Sequence, residues 1–384
     1  MKVLICAAGS GGHIYPALAV AAALQRMCAA TAITFLSTRR QIEQEIFQHS
    51  GYPVIAVAAP PLPQRNGRNT LFFCLRIFAF LLQLGGVSVT VTRILARERP
   101  DIVVGFGAWG SCIPVMVAAV MRIPAVIHEQ NVLPGRANRF LASWCSRIAV
   151  GHAQTARYFR RPAVITGNPL RPGITARDPA SAAAFFGLKH DGVMLLVFGG
   201  SQGSRFINTA VAAAVGLLDP RLRQRLRLLH IAGAADCEMV QGRYAQLQVT
   251  ARVFAYLHEI DYAYSAGDLV ICRAGAATLN ELAFFGLPAL LIPYPYAQAH
   301  QVENARVVEQ AGAAVLIAQD DHAAQRLAVQ LTILINDENL RQRMAQASRM
   351  FYEPSAAEKI AAVVRGASGR GSSGAQARAR AGHT

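Results

Sequence analysis

The chain has 384 residues, 53% of them hydrophobic and 16% charged, with a formal net charge of +16. This composition excludes an intrinsically disordered chain, and the length exceeds one ordinary domain, so two domains of roughly 150–200 residues are expected. The charge is carried almost wholly by arginine, since Lys2, Lys189 and Lys359 are the only lysines; it favours anionic partners, whether nucleic acid, an anionic membrane surface or phosphorylated substrates.

In chain order, Val3 to Ala8 reads as a buried strand that runs into Gly9-Ser10-Gly11-Gly12-His13, followed by a helix from Pro16-Ala17-Leu18-Ala19-Val20. The early glycines and His13 interrupt the apolar run that a signal peptide would need. Strands follow at Ala32–Leu36 and Val54–Val57. The stretch from Leu71 to Leu82 then breaks the pattern: Phe72, Phe73, Leu75, Ile77, Phe78, Phe80 and Leu81 leave it apolar on nearly every face, with Arg65, Arg68 and Arg93 beside it. It reads as a sheet-covering helix, as an interfacial patch resting on anionic lipid, or as a membrane span; Arg76 and the Gly85-Gly86 pair spoil the last.

Further strands are expected at Ile102–Gly105, Ala125–His128, Arg147–Val150 and Ala163–Thr166. The strand–glycine–helix unit then recurs as Met194 to Phe198, Gly199-Gly200-Ser201-Gln202-Gly203-Ser204 and Phe206-Ile207-Asn208. Strands at Leu226–Ile231, Leu269–Cys272, Ala289–Ile292 and Ala314–Ile317 complete the alternation with helices. The pattern is that of an α/β protein with two Rossmann-like, doubly wound domains facing a cleft, each with a glycine turn suited to phosphate. The N-terminal domain is expected over 1–168 and completed by a C-terminal helix at about 354–366, the second domain over 169–353, and a solvated tail over 367–384. Seven cysteines without a Cys-x-x-Cys pair read as small core residues in a reducing compartment, not as a disulfide frame or zinc site.

Seven blocks in order carry a specific resemblance. They are Gly9-Ser10-Gly11-Gly12-His13, Gly105-Phe106-Gly107-Ala108-Trp109-Gly110-Ser111, His128-Glu129-Gln130-Asn131, Gly167-Asn168-Pro169-Leu170-Arg171, Gly199-Gly200-Ser201-Gln202-Gly203, Cys272-Arg273-Ala274-Gly275-Ala276-Ala277-Thr278 through Glu281, and His300-Gln301 with Asn304. From Met1 to about Arg365 the chain resembles the peptidoglycan lipid-intermediate N-acetylglucosaminyltransferases, the MurG family, which have the two-domain GT-B architecture. The resemblance implies an inverting hexosyltransferase that moves N-acetylglucosamine from UDP-N-acetylglucosamine to the 4-hydroxyl of a polyprenyl-diphosphate-linked muramyl-pentapeptide. It implies a peripheral protein on the cytoplasmic face of the plasma membrane, with no cofactor.

The residues fit this chemistry individually. His13, as a neutral imidazole, can take the proton of an attacking sugar hydroxyl. Backbone donors of Ser10, Gly11 and Gly12 suit a diphosphate, and Gly107, Trp109 and Ser111, with Glu129, are candidates for the acceptor or its diphosphate. Arg171 offers a planar fork to the donor diphosphate, and Ser201 would donate from a helix N-terminus. Thr278 and Glu281 read on their own as a helix capping box; the resemblance instead has Glu281 accept the ribose hydroxyls, with Ala276, Ala277, Thr278, Leu279 and Asn280 around it, Leu257 at the uracil edge, and Gln301 and Asn131 at the transferred sugar. Ala8, Ala108, Asn280 and Ala299 depart from the family pattern.

No Asp-x-Asp triplet provides a metal–diphosphate clamp, so no metal is expected: Arg171, backbone amides and helix dipoles would stabilise the leaving UDP in a direct in-line displacement. An alternative within enzymes is a GT-B protein using a UDP-sugar with a different lipid or small-molecule acceptor. Nucleic-acid binding is not expected, because no basic stripe is interleaved with aromatic residues and no helix-turn-helix or ribonucleoprotein motif occurs.

Overall fold

The computed structural model describes all residues except 10, 39, 59, 61–69, 201, 296–299 and 370–384, and all side chains among them except those of 70–72, 74 and 109. The chain forms two compact units. Unit 1 takes Met1–Pro172 and the chain from Glu353 on, and unit 2 takes Gly173–Tyr352.

Unit 1 runs β1 (Lys2–Cys6), α1 (Gly11–Met27), β2 (Ala32–Ser37), α2 (Gln41–Gln48), β3 (Val54–Ala56), α3 (Thr70–Glu98), β4 (Ile102–Gly105), α4 (Trp109–Val120), β5 (Ala125–Glu129), α5 (Arg136–Leu141), β6 (Arg147–Val150) and β7 (Ala163–Ile165). Its strands pair in parallel in the order β3-β2-β1-β4-β5-β6-β7. β4 and β5 are buried along their whole length, as expected of parallel strands covered by helices on both faces. The order turns back between β1 and β4, where Cys6 stands opposite Gly105. Loops leaving the carboxyl ends of such a strand pair open a crevice, which is where doubly wound sheets bind ligands.

Unit 2 repeats the plan with α6 (Pro179–Phe185), β8 (Val193–Phe198), α7 (Arg205–Leu217), α8 (Pro220–Gln224), β9 (Leu226–Ile231), α9 (Cys237–Gln246), β10 (Thr250–Phe254), α10 (Ile260–Ala266), β11 (Leu269–Cys272), α11 (Ala276–Phe285), β12 (Ala289–Leu291), α12 (His300–Gln310), β13 (Ala314–Leu316), α13 (Ala323–Asn336) and α14 (Glu338–Arg349). The parallel order is β10-β9-β8-β11-β12-β13, with the turning point between β8 and β11. The last helix, α15 (Ala356–Ala367), returns to unit 1 and packs Ile360, Ala361 and Val364 into its core beside α1.

Two elements differ from the sequence reading. β10 is an edge strand with Thr250 and Arg252 exposed, so it lacks the continuous apolar run that marks the other strands. The apolar stretch at Leu71–Leu82 is the first half of α3, and Gly85 and Gly86 do not interrupt it. Each glycine costs a helix about 1 kcal/mol, but Val91, Ile94 and Leu95 further along are buried in the unit 1 core, with Leu84 and Val87 against it. That packing carries the helix through.

Candidate active site

In unit 1 the first two glycine loops leave the neighbouring ends of β1 and β4, and each opens a helix at once: α1 begins at Gly11 and α4 at Trp109. The first-turn N–H groups of both helices therefore lie at the crevice of the sheet. Ser10 and the Trp109 side chain, both expected here, lie outside the described residues. His13 sits between the loops. A Cβ added to Gly107, whose φ is +85°, would stand 3.3 Å from His13 Cδ2 and 3.5 Å from Nε2, and one added to Gly9 would stand 3.9 Å from Nδ1. Glycine at 107 thus supplies both the turn and the space against which the imidazole lies.

Burial lowers the His13 pKa from its ordinary value, and the nearby Glu129 carboxylate pulls it back up. Glu129 is itself buried. It accepts from the backbone N–H groups of Asn131 (2.9 Å) and Gly135 (3.0 Å) and from the side-chain amides of Asn131 (3.0 Å) and Asn138 (2.8 Å). Its oxygens thus shape the loop after β5 and place the carboxylate near His13. Ser111 is fully buried, and its one hydroxyl proton is shared between the carbonyls of Cys6 (3.0 Å) and Gly107, which ties the second glycine loop to β1.

Glu43 on α2, which has no sequence signal, braces the first loop from below. Its buried carboxylate accepts from the N–H of Gly9 (2.7 Å), the N–H and hydroxyl of Thr38 (each 2.7 Å) and the hydroxyl of Ser37 (2.7 Å). Burial alone would raise its pKa, but the hydrogen bonds from Thr38, Ser37 and Gly9 outweigh it and lower it. Arg171 belongs to unit 1 in the structure, where its guanidinium carbon lies 4.7 Å from the centre of the Tyr15 ring.

In unit 2 the third glycine loop leaves β8 and ends at Ser204, which caps α7 through its side chain; Ser201 lies outside the described residues. Arg273, at the end of β11, donates to Ser204 Oγ (2.9 Å), the Ile292 carbonyl (2.9 Å) and Gln319 Oε1 (2.6 Å). It ties the glycine loop to the segment after β12. There the Tyr294 N–H donates to Gln301 Oε1 (2.9 Å).

The capping-box reading of Thr278 and Glu281 does not hold. α11 starts at Ala276 with Gly275 as its N-cap and no side-chain cap, so Thr278 lies inside the helix. Glu281 is buried and accepts from the Tyr264 hydroxyl at 2.8 Å, a contact that fixes the carboxylate from α10. Leu279 packs into the core and is not a lining side chain, and Leu257 packs against the same core. Asn280 is buried, and its Nδ2 has no hydrogen-bond partner among the described residues; Ala277 and Thr278 are partly exposed. Tyr264, Arg273, Asn138 and Glu43 escaped the sequence reading because their partners lie far along the chain or on another element.

Two doubly wound units, each with glycine loops at its topological turning point, define the chain as a protein of the two-Rossmann-domain class. In fold it is similar to the crystal structure of Acinetobacter baumannii MurG, with a TM-score of 0.75 and 25% identity over 95% of this chain and 100% of that one. The glycosyltransferase family 28 N-terminal domain pattern matches residues 3–150 and the C-terminal domain pattern matches residues 194–360. The chain belongs to glycosyltransferase family 28 and, within it, to the MurG group. Two relatives are similar throughout: one from Halothermothrix orenii is 35% identical over 92% of this chain and 95% of its own length, and one from Nocardioides sp. is 38% identical over 95% and 97%. Each is described as UDP-N-acetylglucosamine--N-acetylmuramyl-(pentapeptide) pyrophosphoryl-undecaprenol N-acetylglucosamine transferase.

Proposed function

We propose that the protein transfers N-acetylglucosamine from UDP-N-acetylglucosamine to the 4-hydroxyl of N-acetylmuramyl-pentapeptide carried on a polyprenyl diphosphate. The placement of His13 between two glycine loops, with the Glu129 charge near it, carries this reading of the chemistry. Its lowered pKa favours the neutral imidazole, the form able to accept a proton at neutral pH. In the transfer the acceptor oxygen bonds to the anomeric carbon, the bond from that carbon to the β-phosphate oxygen breaks, the hydroxyl proton passes to His13, and UDP leaves. Attack opposite the leaving group turns the α-linked donor sugar into a β-linked product.

In unit 2 the first-turn N–H groups at the third glycine loop are read as diphosphate donors and Glu281 as the ribose ligand; in unit 1 Arg171 is read as a diphosphate ligand. The test is transfer from UDP-N-acetylglucosamine to the lipid-linked muramyl-pentapeptide with a chelator present. The β1,4-linked disaccharide lipid is expected, with turnover unaffected by the chelator. UDP-sugar binding without transfer to this acceptor, but with transfer to another, would move the reading to a different acceptor.

The surface of unit 1 supports a reading of association with an anionic membrane surface. α3 leaves Leu75, Phe78, Leu81 and Leu82 exposed, Phe78 to 61% and Leu82 to 62%. Exposed Val120, Phe140 and Trp144 lie on or beside α4 and α5, the next helices in a packed series with α3. An apolar surface of this kind, on helices that also expose Arg76, Arg93 and Arg139, suits a headgroup region. α3 is long and apolar enough to cross a membrane by length and composition, yet Val91, Ile94 and Leu95 in its second half pack into the unit 1 core, which favours a helix lying on the bilayer. Among the remaining α3 candidates Phe73, Ile77 and Phe80 are partly buried, and the Phe72 side chain lies outside the described residues. We read the protein as peripheral on the cytoplasmic face of the plasma membrane.

A further inference from the structure

We propose that Tyr15 is a positioning residue that holds the Arg171 guanidinium for the donor diphosphate. The inference rests on the reading of Arg171 as a diphosphate ligand. Tyr15 stands one turn after Gly11 in α1, and side chains four apart on a helix lie one above the other, the later one leaning back toward the N-terminus. The Tyr15 ring therefore lies over the glycine. A Cβ on Gly11 would fall 2.9 Å from Tyr15 Cε2 and 3.2 Å from Cδ2, so any larger residue at 11 would displace the ring. The opposite demand comes from the domain's far end: Arg171 places its guanidinium carbon 4.7 Å from the ring centre, within cation–π range. One partly buried ring thus links the first glycine loop to an arginine more than a hundred residues away in sequence.

A long arginine side chain has many rotamers to lose on binding, and an aromatic face that already holds it lessens that loss.

The experiment compares the binding of UDP and of uridine to the full-length protein by calorimetry. Tyr15→Leu is expected to weaken UDP about 5-fold, the factor that corresponds to about 1 kcal/mol for such a contact, and to leave uridine unchanged. Tyr15→Phe, which keeps the π-face, is expected to bind UDP like the wild type. In an Arg171→Ala background Tyr15→Leu should add nothing. Should the leucine variant fail to fold, phenylalanines of increasing fluorination at position 15 retain the shape while draining the ring's negative face, and UDP affinity should fall stepwise. Equal weakening of UDP and uridine would make Tyr15 a packing residue and overturn the proposal. So would an unchanged UDP affinity in Tyr15→Leu alongside a loss in Arg171→Ala. Unchanged UDP affinity in Arg171→Ala would instead overturn the diphosphate reading of Arg171 itself.

Discussion

Lowering the pH from 7.5 to 5 should cost unit 1 about 2 kcal/mol of stability through His128 alone. The side chain is fully buried. Its Nε2 lies 3.2 Å from the Gly167 carbonyl, which can only accept, so Nε2 carries the proton; Nδ1 is buried with no hydrogen-bond partner among the described residues. A second proton would have to enter that apolar position, and burial lowers the pKa from 6.5 to about 4, with the neighbouring His152 adding to the shift. For a histidine lowered in the folded state, the unfolded chain takes up the proton first. The stability is complete above pH 6.5 and is lost as the pH falls from 6.5 to about 4. Over pH 6 to 5 a group with these pKa values contributes a slope of about 1.2 kcal/mol per pH unit. His152, lowered to about 4 by burial, and His13, also lowered, act in the same window and with the same sign. Glu43 and the other lowered carboxylates act only below about pH 4.5, the ordinary glutamate range.

The assay is urea denaturation followed by tryptophan fluorescence. The only two tryptophans, Trp109 and Trp144, lie in unit 1, so the signal reports that unit. The expected midpoint falls steeply between pH 6.5 and 5, and His128→Gln, which keeps a donor for Gly167, should reduce the slope by one proton. A midpoint that is flat across this range, or an unchanged slope in the variant, would refute the reasoning.

Tyr264→Phe removes the hydroxyl that donates to Glu281 without changing the ring. A hydrogen bond to a carboxylate contributes about 1.5–3 kcal/mol, and if part of that orients Glu281 toward the ribose, UDP and uridine should both bind about 3- to 10-fold more weakly. Unaltered uridine affinity by calorimetry would contradict the ribose role. Ala108 sits at φ 58° and ψ 166°, a conformation that glycine favours, and such a residue stores about 1–3 kcal/mol of strain. Ala108→Gly should therefore raise the unit 1 urea midpoint despite glycine's entropic cost of about 0.5–1 kcal/mol; a lower midpoint would show that the backbone is not strained there.

The strands were legible wherever they were buried on both faces, because an unbroken apolar run bounded by glycine or proline has few other uses. β4, β6, β9 and β11 start and stop where the residues say. β10 was hidden by its exposed edge, and the length of α3 by two glycines whose cost is met through packing remote in sequence. At the site the glycine loops and His13 could be read because each lies within a short stretch of chain. Their supports could not: Glu43 reaches Gly9 across 34 residues and Tyr264 reaches Glu281 across 17, and nothing in the spacing announces either contact. The same distance effect hid the loop contacts of Ser111 and Glu129, polar residues whose hydrogen bonds to their own loops nothing in the spacing announces. Thr278 and Glu281 show the converse, a local motif that matched a cap while the helix began two residues ahead of Thr278.

The central claim is that His13 is the base for sugar transfer, and the most direct measurement is transfer of radiolabelled N-acetylglucosamine to the lipid-linked muramyl-pentapeptide by the wild type and by His13→Ala, with UDP affinity measured on the same preparations. The account predicts a loss of about 10²–10⁴-fold in kcat with UDP affinity retained. Transfer by His13→Ala within a few-fold of wild type would contradict it.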